Sequence, residues 1–433
     1  MERKIVKELE RWRLQTKRKP LLLSGARQVG KTYSVLDFGR THYRNTLYIS
    51  MEGPREFRAV FDRDFDPDRI VRELAVLAGE TVMVADTLIV FDEVQAEPRA
   101  LTSLKYFAEG RTPYHVIATG SLLGTSVRAS EPTASFPVGK VDMLTMHPMD
   151  FEEFCWAAGE TALIDAIRQA ASDNTATPVH EKALDMYRRH LAVGGMPEAV
   201  DAFVAQDLTA VSAAQNTLNQ AATADMTKYT APVEAARIIA AWASLPSQLA
   251  KENRRFQYAL VRPGARASQY EWAVQWLISA GLVIPVTMVG TGRVPLAVHA
   301  EPGAFKLYMY DTGLLTARVE TSLERLIQST TTVGGFAGAL TENYVAQAMA
   351  ANGVTLYSWA SPGKAEVDFV YQTRDGDVVP IEVKAADNVR SKSLSRFIEL
   401  YSPPQAVRLT TKQFGVDGAV RSVPLYGAWL LGA

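Results

Sequence analysis

Gly25, Gly30, Lys31 and Thr32 stand in LLLSGARQVGKTYSV, residues 21–35, with four residues between the two glycines. A glycine-rich turn of that spacing lets successive backbone N–H groups converge on phosphate oxygens, at a helix start whose dipole favours negative charge. Lys31 adds a point charge for β- and γ-phosphates, and the Thr32 hydroxyl is a ligand for Mg²⁺. This is the Walker A pattern, lying between a run that reads as a strand and one that reads as a helix. The expected contacts to a bound ATP are Gly25, Gln28, Val29, Gly30, Lys31, Thr32 and Tyr33, with Ser121 from a later strand end.

Asp92 and Glu93 close the apolar run LIVFDEV. Acids at the C-terminal end of a sheet strand lie where open α/β sheets bind ligands. Asp92 suits a Mg²⁺ shell, and Glu93 suits activation of an attacking water. Thr119 and Ser121, in HVIATGS, end the next apolar strand and are placed to sense a γ-phosphate. Arg128, Lys140, Arg188 and Arg189 are candidates for an arginine-finger role, and the sequence does not choose among them.

A second constellation lies near the C-terminus. EVDFVY puts Asp368 mid-strand, and thirteen residues separate it from Glu382 in PIEVK. Glu382 and Lys384, two apart, share one strand face. The Asp375-Gly376 pair between the runs signals a hairpin turn. The turn would bring Asp368, Glu382 and Lys384 together as a divalent-metal pair of carboxylates with a lysine beside them. A hairpin with an internal Glu382–Lys384 ion pair, needing no metal, is the alternative. A third stretch, KENRRFQYALVRPGARASQY, carries Lys251, Arg254, Arg255, Arg262 and Arg266 against one acid, with Phe256, Tyr258 and Tyr270 between them. A helix pair with a basic loop followed by a strand reads as a winged helix, with these five residues on DNA phosphates. A solvated loop between subdomains is its plain alternative.

The elements that must position these groups follow from patterning. Ile5, Val6, Leu9, Trp12 and Leu14 are spaced as one helix face. Apolar runs at PLLLSG, NTLYISME, ADTLIVFDEV and PYHVIATGS alternate with helical segments, which predicts a parallel sheet covered on both faces. From about residue 150 the pattern is helical, punctuated by Gly194-Gly195 and Pro197. A chain of 433 residues should hold two or three cores. A net charge of −1 excludes a uniformly basic coat protein, and the one cysteine, Cys155, excludes a disulfide framework or thiolate zinc site. The N-terminus lacks an apolar signal core, and the longest apolar stretch is interrupted by Pro285, so a soluble cytoplasmic protein is expected.

LLLSGARQVGKT, LIVFDEVQ, ATGSLLG, SFPVGKVDMLTMHPMDFEEF and GGMPEAV together resemble bacterial and archaeal AAA-type ATPases that carry a C-terminal domain of unknown function. The resemblance covers nearly the whole chain. It implies an α/β fold: a P-loop core over 1–150, a helical lid over 151–230, a winged-helix-like region over 231–330 and a PD-(D/E)XK nuclease-like domain over 331–433. It also implies ATP and Mg²⁺ as cofactors, a homo-oligomeric ring, and Glu342 in TENY as the auxiliary acid of the nuclease pattern. The expected function is ATP-driven processing or remodelling of duplex or branched DNA, with metal-dependent cleavage added if the C-terminal site is active. The alternatives are a regulatory nucleotide switch whose C-terminal domain only binds a partner, and a protein remodeller.

Overall fold

Amphipathic spacing makes Ile5–Arg13 the first helix (α1), which buries Leu9 and Trp12. The computed structural model describes residues 1–121, 137–228, 230–328, 336–361, 363, 365–385 and 392–432. They form two compact units, of which Arg3–His147 with Ser279–Gly281 is the first.

In the first unit each apolar run becomes a strand and each intervening segment a helix. Leu21–Ser24 (β1) leads through the glycine loop into Lys31–His42 (α2), then Asn45–Ser50 (β2) and the short Arg55–Ala59 (α3). Pro67–Ala78 (α4) starts at Asp66, whose carboxylate accepts from the Asp68 N–H, and stops at Gly79 in the left-handed region. Thr87–Asp92 (β3), Pro98–Glu109 (α5), His115–Gly120 (β4) and Asp142–Thr145 (β5) complete the unit. The five strands are all parallel, in the order β2-β3-β4-β1-β5. Every residue of β3 is buried, as a strand covered on both faces requires. Phe91 meets Phe61 and Phe107 edge-on, at centroid distances of 5.7 and 5.8 Å. The register pairs Ser50 with Asp92, Phe91 with Ala118 and Leu23 with Thr119. The C-terminal ends of β1, β3 and β4 therefore share one edge.

The second unit opens with helices: Phe151–Ala157 (α6), Thr161–Asp173 (α7), His180–Val193 (α8), Pro197–Val204 (α9), Leu208–Lys228 (α10) and Pro232–Leu249 (α11). Tyr258–Val261 (α12) and Ala267–Ser279 (α13) then precede an antiparallel pair, Val283–Val289 (β6) and Ala300–Met309 (β7). Thr312–Ala317 (α14), Leu323–Gln328 (α15) and Phe336–Ala351 (α16) lead to Tyr357–Ala360 (β8), Glu366–Gln372 (β9) and Val378–Val383 (β10). Lys392–Tyr401 (α17), Ala406–Thr410 (β11), Gly415–Asp417 (β12) and Val420–Pro424 (β13) follow. The eight strands form one mixed sheet, β12-β13-β11-β10-β9-β8-β6-β7. Because β6 pairs with β8, this sheet runs across the boundary expected at residue 330. The middle strands and the C-terminal strands thus share one backbone ladder. Periodicity locates strands but not their long-range partners, so the sequence could not show this.

Helix α16 is buried on most of its surface, and its polar groups are used to fix it. The Asn343 side chain accepts from the Met309 N–H at 2.7 Å and donates to the Met309 carbonyl at 2.9 Å, while Gln347 accepts from the Thr312 N–H at 2.9 Å. These bonds register α16 against the end of β7. A second tie holds the Gly194-Gly195 turn. Gly194, at φ +78, ends α8, and the Gly195 N–H donates to the buried Asp311 carboxylate at 2.7 Å. Asp311 also caps α14 by accepting from the Leu314 N–H. Burial pushes its carboxyl up to about 6, against the backbone N–H groups that favour the charge. Among the described residues no helix is long and apolar enough to cross a membrane.

A Cβ at Gly195 would overlap the Met149 carbonyl, which belongs to rigid backbone. Gly195→Ala should therefore lower unfolding free energy by about 2–4 kcal/mol, read from denaturant melts of the full chain. An unchanged midpoint would show that the turn has room to relax.

Candidate functional site

At the shared edge of the first sheet, the loop after β1 returns to the helix α2. Gly25 sits at φ +147 and Gly30 at φ +97, and a side chain at Gly25 would collide with the Met146 carbonyl. Gln28 is also left-handed, and the Val29 carbonyl is held by the Arg3 guanidinium at 2.8 Å. Tyr33 points out beside the loop, with its ring 62% exposed. The Lys31 ammonium is buried and donates to the Gly25 and Ala26 carbonyls at 2.9 and 2.8 Å. Burial lowers its pKa to about 8, although Glu93 and Asp92 pull the other way. A phosphate in this cradle would supply the anionic partner that the loop carbonyls replace only in part.

Asp92 is buried at the end of β3 and accepts from three hydroxyls. Thr32 donates at 3.0 and 3.1 Å to its two oxygens, Tyr48 donates to Oδ2 at 2.7 Å, and Thr119 donates to Oδ1. Burial and the Asp92 carboxylate together push the Tyr48 hydroxyl pKa up. A hydroxyl facing a carboxylate at the start of a phosphate-cradling helix is the donor set Mg²⁺ takes with a nucleotide, so the residues fit that cation. Glu93 leaves the strand in a left-handed conformation, φ 52. Its Oε2 accepts from the Gln95 amide and, at 3.1 Å, from the Ser121 hydroxyl. Arg27 reaches Ser121 at 3.4 Å and Glu52 at 3.5 Å. Tyr48, Arg27 and Gln95 escaped the sequence reading, since only register or a tight turn brings them here.

The finger candidates are distributed as follows. Arg128 lies outside the described residues. Lys140 pairs with Glu109 at 2.9 Å. Arg188 and Arg189 both pair with Asp185 of α8, at 3.5 and 2.7 Å.

In the second unit the hairpin of β9 and β10 turns at Gly376, φ +94, and brings Asp368, Glu382 and Lys384 to one cavity of about 430 Å³. Glu342 of α16 and Lys306 of β7 line the same space. Lys384 pairs with Glu382 at 2.6 Å, and Asp368 accepts from the Val383 N–H at 2.8 Å. Burial, then Glu342 and Glu382, push the Asp368 carboxyl well above its usual range. Lys306 is 2% exposed and pairs with Glu366 at 2.9 Å. Burial opposes its charge, but Glu342, Asp368 and Glu366 outweigh this and raise its pKa. Glu342 accepts from Arg254 at 2.5 Å and from the Tyr308 hydroxyl at 2.8 Å. Among the described residues no three His, Cys, Asp or Glu side chains form a ready metal cage. The buried Glu382 Oε2 has no hydrogen-bond partner among the described residues. That unpaired oxygen beside Asp368 fits a cation completed by water or phosphate oxygens.

The basic stretch divides. Arg254 turns inward at φ 49 onto Glu342, and Arg255 approaches Glu366 at 3.6 Å, so neither guanidinium stands free for a phosphate as expected from sequence. Two acids brought from distant elements outcompete solvent for them. Lys251, Arg262 and Arg266 remain exposed. Phe256 is buried and stacks on Phe305, and Tyr270 is buried too, so neither ring is an exposed stacking platform. Arg262 shares a cleft of about 580 Å³ with Arg237 of α11, Gln269 and Tyr270, and no acidic side chain among the described residues lines it. Arg237 was missed because it falls on a helix whose pattern reads only as packing.

Residues 17–155 match a family described as an AAA domain. Residues 184–325 and 337–426 match two families, each described as a domain of unknown function, DUF8612 and DUF4143. No curated protein matches the chain. Among solved structures, a Walker-type ATPase of Pyrococcus abyssi aligns with 15% identity over 73% of this chain and 95% of its own, at a TM-score of 0.44. The Aeropyrum pernix ORC2 protein in its ADP form aligns with 14% identity over 75% of this chain and 92% of its own, at 0.31. The Aeropyrum pernix ORC1 protein in complex with DNA aligns with 14% identity over 74% and 92%, at 0.27. Likenesses this loose carry no argument about partners.

Lys31→Ala should abolish binding of a fluorescent ATP analogue, because the cradle loses its buried ammonium. Glu93→Gln should bind the analogue within about threefold of wild type, yet turn ATP over about 10²–10⁴-fold more slowly. Near-normal turnover in the second variant would remove Glu93 from the base role.

Proposed function

We propose that this ATP-hydrolysing enzyme, built on an AAA-type P-loop core, couples turnover to work on duplex or branched DNA. In the nucleotide site, the loop N–H groups and Lys31 hold the β- and γ-phosphates. Thr32 and Asp92 are the residues that would hold Mg²⁺, which when bound neutralises charge developing on the phosphates. Glu93 takes the proton of the attacking water, and Thr119 and Ser121 report the γ-phosphate to the strand ends. The chain acts as a homo-oligomer, in keeping with the family resemblance.

The observation that carries the DNA reading is the acid-free cleft between α11 and the turn before α13. Arg237 and Arg262 line it, and neither guanidinium has a hydrogen-bond or ion-pair partner among the described residues. Unpaired guanidiniums at a cleft suit phosphate oxygens and give binding that falls steeply with salt. Arg237→Ala and Arg262→Ala should each weaken duplex binding similarly for all sequences, and make the slope of log K against log salt shallower by about one. Arg254→Ala should leave that slope unchanged, since its charge is committed to Glu342. ATP turnover measured with single-stranded, duplex, forked and four-way DNA tests the coupling. Stimulation only by unfolded polypeptide would favour a protein remodeller. A DNA-insensitive rate, with ATP changing only the oligomeric state, would favour a switch.

A second reading rests on the C-terminal cavity. Asp368 and Glu382 would hold a divalent cation there, with Glu342 behind them and Lys384 beside the attacked phosphate, in a PD-(D/E)XK nuclease-like arrangement. The unpaired Glu382 Oε2 favours it. Wild type should nick linear, forked or four-way DNA with Mn²⁺, and Asp368→Ala should not. Absence of cutting, together with absence of calorimetric Mn²⁺ binding, would leave the cavity as a docking pocket.

A further inference from the structure

Gln95 lies two residues beyond Glu93, on the 3₁₀ turn Val94–Ala96, and is 7% exposed. Its amide nitrogen donates to Glu93 Oε2 and stands 3.3 Å from the Ser121 hydroxyl, which itself contacts the same carboxylate oxygen at 3.1 Å. One carboxylate oxygen is thus clamped by two donors, from the turn after β3 and the end of β4. The amide oxygen of Gln95 is buried and has no hydrogen-bond partner among the described residues. A buried carbonyl is costly to leave unpaired, so its partner is to be sought in another state of the site.

We propose that Gln95 is a second catalytic residue of ATP hydrolysis. Its N–H holds Glu93 aimed, and its carbonyl oxygen accepts a hydrogen bond from the attacking water. This rests on Glu93 being the general base. The water carries two protons. Glu93 takes one as the water oxygen bonds to the γ-phosphorus. The bond from that phosphorus to the β-γ bridging oxygen breaks, and its electron pair leaves with ADP. The second proton stays on the new phosphate oxygen, released as inorganic phosphate. Gln95 accepts a hydrogen bond from that second O–H and gains or loses no proton. A water tethered at both hydrogens has its lone pair directed at phosphorus, which a carboxylate alone does not enforce. The left-handed backbone at Glu93 is what lets one short turn aim both side chains at the same place.

The test measures kcat, KM, ATP-analogue affinity and melting temperature for wild type, Gln95→Ala, Gln95→Asn and Gln95→Glu, with Glu93→Gln alongside. Gln95→Ala should lose about 10–100-fold in kcat while analogue affinity stays within about threefold. Asn, one methylene short, should recover little. Gln95→Glu loses the N–H donor and sets a second carboxylate against Glu93, so it should lose kcat as Gln95→Ala does. Wild-type kcat in Gln95→Ala overturns the proposal. So does a parallel loss of analogue binding and melting temperature in Gln95→Ala, because that is a structural tie. Full turnover in Glu93→Gln would instead sink the general-base reading beneath it.

Discussion

A carboxylate at the end of a fully apolar strand has to be hydrogen-bonded, and Asp92 meets that requirement with hydroxyls from three other elements. Thr32 comes from α2, Tyr48 from β2 and Thr119 from β4. The two strand hydroxyls, of Tyr48 and Thr119, arrive only if the parallel register is correct, because a slip of one residue would turn either to the opposite face. The nucleotide loop, the strand order and the placing of Glu93 are all tied to this one buried charge. The same carboxylate is the one a magnesium ion would share with Thr32, so the packing that satisfies it also prepares the site.

The second unit meets a harsher version of the same constraint. Glu342, Glu366, Asp368 and Glu382 crowd one cavity, and carboxylates so close would repel unless neutralised. A metal is one answer, but the protein supplies another. Arg254, Lys306 and Lys384 each pair with one of these acids, and Arg255 stands near Glu366. Such pairs contribute little net stability once desolvation is counted, and their clearest effect is to fix which elements meet. Asp368 is left with a backbone N–H and, among the described residues, no paired cation at hydrogen-bond distance, which agrees with the upward push on its carboxyl.

The two sites differ in how much of each was legible beforehand. Gly25, Gly30, Lys31 and Thr32 act through consecutive backbone, so their spacing carries the chemistry. Asp92 and Glu93 were readable because an apolar run of strand length ends at them. The β9–β10 hairpin was readable too, since Asp375-Gly376 separates two runs of strand type and so brings Asp368 to Glu382. The cations that neutralise the cavity were not. Lys306 sits in the run FKLYM of a strand whose period says only which face it takes.

The amino-acid sequence by itself determined the phosphate loop, the strands and helices around it, the acids at the strand end and the C-terminal hairpin. All of these are set by contacts within a few residues or by a simple period. Only the tertiary structure decided that Arg254 turns inward while Arg237 and Arg262 face a cleft, that β6 and β7 join the C-terminal sheet, and that Gln95 grips Glu93. Those outcomes depend on which distant acid lies within reach of a long side chain, on one left-handed residue in a turn and on ladder pairings far apart in the chain. Local periodicity carries no information about any of the three, because the energy that selects them arises between elements after they have formed.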